Sequence, residues 1–511
     1  MAAFRVLEYS LPAFRQLLIE KAHSISSIEN KPHIAYLDEY LKEISVKTVL
    51  VEEDYVDKHY LEDYAGYYSR CFSDYRRKCS RLHFFRNIIT QESFQRLLSE
   101  KSASEEDLQK HYAGFIVVKP LPKTVIGRTC LANYFDNKFE RCFPVNQKYD
   151  VSLFGFPLSV HSLAFQEQDT DVAACATSAL WSAFQATGRI FQHEIPSPVA
   201  ITRAASIGLD TRTMPNDEGL TSEQMAAAIR SVGLEPHVIS VLRKSPKSCD
   251  ADLFRSASYA YLRAGIPCLA CGALVQVSTG KVEGLHAIAL NGFHLASGAS
   301  LTLSLGPALR ATRIDRLYAH DDGVGPFARL KFTTSTEPIM TSWRDRRGNK
   351  DHMAFVPHNL LIPTYHKIRV PFAKAVMGIN EFDKLLEAAR EKFSLSPSRW
   401  DWDIYLCDAG RLKNDLLKLP TTVFDMSVLT GDFPKYTWVY DLYEGTSLKA
   451  KLFMDATDLL QGSRFIRAVC YDSTFGVRMS SYQKGMLAGK SAAQQDPITR
   501  AIFDWFANAY P

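Results

Sequence analysis

The sequence predicts an α+β protein, on three observations. Between about residues 155 and 333, segments with helical spacing come first and a run of strand-like segments follows, the order of an α+β unit with an antiparallel sheet. Residues 1–110 carry apolar residues at helical intervals, and residues 334–511 mix both periods. The chain has 511 residues, beyond the roughly 250–300 at which one core stops growing, so several domains are expected. The expected regions are a helical N-terminal region over 1–110, a small β-rich segment or linker over 111–155, the α+β unit over 156–333 and a mixed α/β C-terminal domain over 334–511.

In the first region Tyr64, Tyr68, Phe72, Tyr75 and Cys79 recur at three- and four-residue intervals, the stripe of an amphipathic helix. Arg70, Arg76, Arg77 and Lys78 fall between them and Arg81 just beyond. Basic residues among aromatics can bind single-stranded nucleic acid, but here the aromatics share one face and the charges the other, so a core-facing helix is the reading. From Tyr112 the texture becomes β-like, with Lys119-Pro-Leu-Pro-Lys123 as a turn.

In the α+β unit a helix is expected from Cys175 to Thr187, with Gly188 as its stop. Ser197-Pro198 supplies an N-cap and a first-turn proline, Thr221-Ser-Glu-Gln224 a capping box, and a further helix runs from about Asp252 to Arg263. Strands are expected at Ile266–Val277, His286–Phe293, Leu301–Leu305 and Asp315–His320. Further on, Asn380 caps a helix, Tyr443-Glu-Gly-Thr-Ser447 turns a hairpin, and Asp496-Pro497 opens a terminal helix.

Composition narrows the classes. With 46% hydrophobic and 23% charged residues the chain reads as globular, and a net charge of +4 calls for neither nucleic acid nor an anionic membrane as partner. The N-terminus lacks the basic stretch and apolar run of a secretory signal, and no segment has the length of a spanning helix, so a cytoplasmic protein without membrane attachment is expected. The ten scattered cysteines agree with a reducing compartment. Cys268-Leu-Ala-Cys271 has metal-knuckle spacing but no matching second pair, and its apolar surroundings read as a buried strand, so no metal or other cofactor is expected.

The chemistry gathers around Cys175. A thiol is a nucleophile only as thiolate, and helix N-termini stabilise thiolates. A histidine to take the proton must come from elsewhere in the fold, with a third group to orient it. His286 opens an apolar strand, and a later strand runs into His320-Asp321-Asp322-Gly323, an acid pair at a turn.

These segments resemble the papain-like cysteine peptidases, most closely the branch of bacteriocin-leader (double-glycine) peptidases, over about residues 160–330. The resemblance rests on Gln168-Asp-Thr-Asp-Val-Ala-Ala-Cys-Ala-Thr-Ser-Ala-Leu, Gly219-Leu-Thr-Ser-Glu-Gln-Met with Leu262-Arg-Ala-Gly-Ile-Pro, Leu285-His-Ala-Ile-Ala-Leu-Asn-Gly-Phe, and Leu317-Tyr-Ala-His-Asp-Asp-Gly. It implies a papain-like core in which Cys175 is the nucleophile, His286 the general base and acid, Asp321 the orienting acid ahead of Asp322, and Gln168 an oxyanion donor. It also implies hydrolysis of a peptide or isopeptide bond through an acyl-enzyme, with a protein or peptide as substrate and the flanking regions selecting it or binding a partner protein. The same constellation serves deamidases and acyltransferases, and an inactive protein-binding module is the alternative. Gln168 stands seven residues before Cys175, one more than that family usually shows, and Ala176 replaces its glycine.

Overall fold

The computed structural model describes residues 4–510 apart from His23, Asn30, Pro397 and the stretches 101–104, 135–140, 170–173, 207–218, 244–247, 303–305, 333–338, 343–352, 393–395, 419–425, 461–462 and 489–494. The acidic spacer at 170–173 and the end of the strand expected at Leu301–Leu305 lie outside the described residues. The protein is mixed α+β. It divides into two compact units, one of Met1–Cys249, Gly265–His294 and Arg316–Pro363, the other of Asp250–Ala264, Leu295–Asp315 and Thr364–Pro511.

The first 110 residues are not simply helical. Strands Phe4–Glu8, Thr48–Tyr55, Cys79–Phe85, Tyr112–Val118 and Ile126–Leu131 form a five-stranded antiparallel sheet in chain order, with helices in the connections. Every residue of Cys79–Phe85 and of Tyr112–Val118 is buried. Strands covered on both faces lose the alternation that marks a strand in sequence. The helix expected through Tyr64–Cys79 stops at Gly66. Tyr60, Tyr67, Tyr68 and Tyr75 instead pack ring on ring around a short turn, and Phe72 is fully exposed. No basic helix face exists there: Arg81 sits in a strand, paired with Glu52 at 2.7 Å and stacked 4.2 Å over Tyr55.

The second half of this unit is a closed barrel. Strands Cys268–Gln276, Val282–Leu295, Ile314–Asp321, Gly325–Lys331, Ile339–Met340 and Met353–Thr364 pair in that order, and the last pairs back onto the first. Closure removes the free edges that would otherwise invite mispairing. Gly272 makes the seam possible, because a Cβ there would lie 2.1 Å from the Val356 carbonyl oxygen. The closing strand lies beyond residue 333, where the α+β unit was expected to end.

Against this barrel packs the helix Cys175–Phe191, buried continuously from Ala176 to Gly188. Ala176, Ala179 and Ala183 of the helix share one core with Leu269, Ala287, Ala289 and Leu361 of the barrel. Small residues on both surfaces let helix and strand backbones approach closely. Gly188 is not the stop. The helix runs on to Phe191 and ends with Gln192 in the left-handed conformation, while Gly188 leaves room for Ile195, whose Cγ1 lies 2.5 Å from where a Cβ would stand. The capping box of Thr221 and Gln224 is present at Ser222–Ser231, and Ser197 precedes the helix Pro198–Ala205.

The second unit holds a six-stranded sheet in the order Leu301–Thr302, Ala308–Leu309, Asp401–Asp408, Tyr436–Glu444, Ser447–Asp455, Phe465–Cys470. Its helices include Ala251–Leu262, Phe372–Lys392 and Pro497–Ala509. The hairpin around Gly445 is as expected, and Asp496 caps the terminal helix through Ile498 N and Thr499 N. Asn380 is no cap: it lies inside Phe372–Lys392. No helix among the described residues is long and apolar enough to cross a membrane.

Candidate active site

Cys175 is the first residue of its helix, and Ala174 before it offers no side-chain cap to the first-turn amides. Those N–H groups have no partner within the helix and carry the positive end of its dipole. Cys175 is half-buried. His286 lies in the strand Val282–Leu295, cross-strand from Gly272, and is only 7% exposed. Asp321 ends the strand Ile314–Asp321, where its carboxylate turns back toward the imidazole.

The three residues form a chain. His286 Nε2 donates to Asp321 Oδ1 at 2.9 Å, and Cys175 hydrogen-bonds the same imidazole. Asp321 Oδ1 also accepts the Gly323 N–H at 3.0 Å, which fixes the carboxylate in its turn. Burial favours neutral His286, but the charge and hydrogen bond of Asp321, the hydrogen bond from Cys175 and the charge of Asp322 together hold its pKa well above the usual histidine range.

Asp322 plays a different part. Its Oδ1 is 3.8 Å from His286 Nε2, beyond hydrogen-bond reach, and neither carboxylate oxygen has a hydrogen-bond partner among the described residues. Burial, with Asp321 alongside, pushes its carboxyl up to about 7 against the pull of His286. One nitrogen of His286 and one oxygen each from Asp321 and Asp322 lie within 4.8 Å of one another, so this donor set has the spacing to hold a cation. Cys268 and Cys271 belong to no such group among the described residues. Both sit in a barrel strand as free thiols, Cys271 with its sulfur 3.5 Å from Met225 Sδ and pushed up to about 12 by burial and by neighbouring Cys175.

Gln168 is half-buried and makes no hydrogen bond to any of the three residues among those described. Its neighbours are anchored. Glu167 pairs with Lys31 and accepts the Ile126 N–H at 3.2 Å, while Asp169 accepts the Tyr68 hydroxyl and faces Lys119 Nζ at 4.0 Å. Glu167 and Asp169 are buried, while Gln168 between them is half-buried. The same segment is tied to the Asp321 strand by His320, whose Nε2 donates to the Leu163 carbonyl at 2.9 Å and whose Nδ1 accepts from Phe327 N at 3.1 Å. Burial pushes His320 down to about 3, so it is neutral and structural.

Two polar neighbours of the site carry no sequence signal. His33 Nε2 donates to the Asp322 carbonyl, and Lys31 reaches Glu167; the partners are 289 and 136 positions apart. Nothing in the local sequence around Pro32 signals either contact. No protein-family model matches the chain, and no curated protein matches it in sequence.

Proposed function

We propose that the protein is a cysteine-nucleophile hydrolase with a papain-like core, a protease or isopeptidase working through Cys175, His286 and Asp321. The observation that carries this reading is the hydrogen-bonded chain from Cys175, a half-buried residue, through a buried imidazole, held toward its cation, to a buried carboxylate. With Nε2 engaged by Asp321, Nδ1 is left for the thiol. Of the described titratable clusters, this one joins a nucleophile, a base and an orienting acid at a helix N-terminus.

In the reaction the sulfur electron pair attacks a substrate carbonyl carbon, and the C=O pair moves onto oxygen. The oxyanion is received by the Cys175 N–H and the Gln168 side chain; each donor of this kind is worth about 3 kcal/mol of barrier. The C–N bond breaks as His286 gives its proton to the leaving amine, and a thioester remains. A water, giving its proton to His286, then attacks the thioester and returns the thiol pair. Amide side chains and amine acceptors fit the same steps, which makes deamidation and acyl transfer variants of this reading. A cytoplasmic location is part of this reading, and ten cysteines without a disulfide are compatible with a reducing compartment.

The second reading, an inactive fold that binds a partner protein, is favoured by the absence of any Gln168 bond to the triad. Site-resolved labelling with a thiol-reactive probe at neutral pH separates the two. The hydrolase reading expects Cys175 to react faster than the other nine cysteines, and Cys175→Ala to capture an uncleaved peptide or protein. Labelling no faster than the rest, together with a captured protein that wild type leaves intact, would favour the binding module.

A further inference from the structure

We propose that Lys31 and His33 are positioning residues that hold the two sides of the Cys175 site in register, an inference that rests on the hydrolase reading. The two residues flank Pro32 at the start of the helix Pro32–Glu43. They reach in different directions. Lys31 Nζ pairs with Glu167, next to Gln168 on the segment that leads to the nucleophile, and donates to the Lys123 carbonyl at 2.8 Å. His33 Nε2 donates to the Asp322 carbonyl, in the turn that follows the triad acid. One helix start therefore grips both the segment before Cys175 and the turn after Asp321.

Burial makes these contacts structural determinants rather than surface decoration. The Lys31 and Glu167 side chains are 9% and 5% exposed, and His33 and Asp322 are 7% and 4% exposed. The Lys31 side chain is only 9% exposed, so a displaced Glu167 leaves a largely buried charge without its counter-ion. The grip is backed along the helix: Tyr36 donates to the Pro326 carbonyl at 2.7 Å, and its ring fills the space over Gly325, whose Cβ would stand 2.4 Å from it. Among the described residues, Asp322 lies in electrostatic reach of His286, Asp321 and Glu167, and His33 in reach of Glu167, Lys31 and Asp321.

What the arrangement controls is the separation between Gln168 and Cys175 on one side and the His286–Asp321 pair on the other. A shift of ~1 Å in a reacting geometry costs up to ~10²-fold in rate. The test is alkylation of Cys175 in the full-length protein by iodoacetamide, followed by peptide mass spectrometry, at pH 6 and pH 9. A free thiol, with a pKa near ~8.5, reacts at pH 9 but scarcely at pH 6, whereas an imidazolium-paired thiolate reacts at both. The ratio of the two rates reports pairing and is insensitive to access.

His33→Leu and the double replacement of Lys31→Met with Glu167→Leu should lower the pH 6 to pH 9 ratio ~10-fold or more. His33→Gln and Lys31→Arg, which keep a donor, should retain it. The double replacement removes both charges together and so avoids the unpaired buried charge that would unfold a single variant; near-UV circular dichroism verifies the fold. His286→Ala calibrates the assay. A wild-type ratio no higher than that of His286→Ala overturns the hydrolase reading and the positioning role with it. A wild-type ratio above His286→Ala that folded His33→Leu and the double variant both keep overturns the positioning role alone.

Discussion

His286 Nε2 and Asp321 Oδ1 are 2.9 Å apart, while the same nitrogen is 3.8 Å from Asp322 Oδ1. Two adjacent acids thus divide the work: the first orients the imidazole, the second stands by as a buried carboxyl without a hydrogen bond of its own. Asp321→Ala is expected to lower turnover by roughly 10²–10⁴-fold, the range lost when a base is no longer oriented. Asp322→Asn should cost less than about tenfold. Rates on a substrate captured with Cys175→Ala decide it, and a larger loss at Asp322 would exchange the two assignments.

Asp322 also gives the fold a pH dependence. A carboxyl held at about 7 when folded binds its proton more tightly than in the unfolded chain, where the value is near 3.9. The associated stability is fully present below pH ~3.9 and is lost as pH rises through about 7. His286, raised above the histidine value, acts with the same sign from pH ~6.5 upward. Asp322→Asn should therefore be more stable than wild type at pH 8, by on the order of a few kcal/mol, and lose that advantage at pH 4. Urea unfolding at the two pH values measures this; equal differences at both would refute it.

His320 has the opposite sign. Its pKa falls to about 3 on folding, so the unfolded chain takes up a proton first as pH drops, and stability is lost between pH ~6.5 and about 3. His83, lowered to about 4, adds to the same loss. His320→Asn should be less stable at pH 7, because the bonds to Leu163 and Phe327 are weakened, yet its stability should fall less steeply with acid. Melting curves from pH 7 to 4 that run parallel to wild type would exclude the role.

The barrel seam makes a third kind of prediction. Gly272→Ala places a methyl 2.1 Å from the Val356 oxygen, where only backbone movement can relieve it, and should destabilise by ~3 kcal/mol or more or prevent folding. Gly284→Ala, in the neighbouring strand with nothing within 4 Å of its Cβ, should change stability by less than about 1 kcal/mol. Thermal melts of the pair provide the comparison.

How far these features could be read beforehand depended on whether their cause is local. The Thr221 and Asp496 caps each depend on residues three or fewer positions away, and both are present. Cys175 at a helix start and Asp321 at a strand end were legible because each bounds a strongly patterned segment; His286 reads as the opening of its strand but is its fifth residue, because the largely exposed Val282–Leu285 that reads as a loop is the start of the strand. The N-terminal sheet was not legible, since Leu82, Phe84 and Phe85 are all fully buried and show no alternation. Nor could Lys31 and His33 be found, because a lysine and a histidine around a proline look like any helix start until Glu167 and Asp322 arrive from elsewhere in the chain.

Closure of the barrel by Met353–Thr364 also sets a clock. That strand is synthesised about 180 residues after Cys175, which at roughly 5–20 residues per second is an interval of about 10–40 seconds. Throughout it the nascent chain carries Cys175 without a finished scaffold to hold His286 and Asp321. Under the hydrolase reading the chain emerges from the ribosome with an unassembled site and completes it only when the closing strand of the barrel is in place, so a chain truncated before that strand would carry the cysteine but not the reactivity.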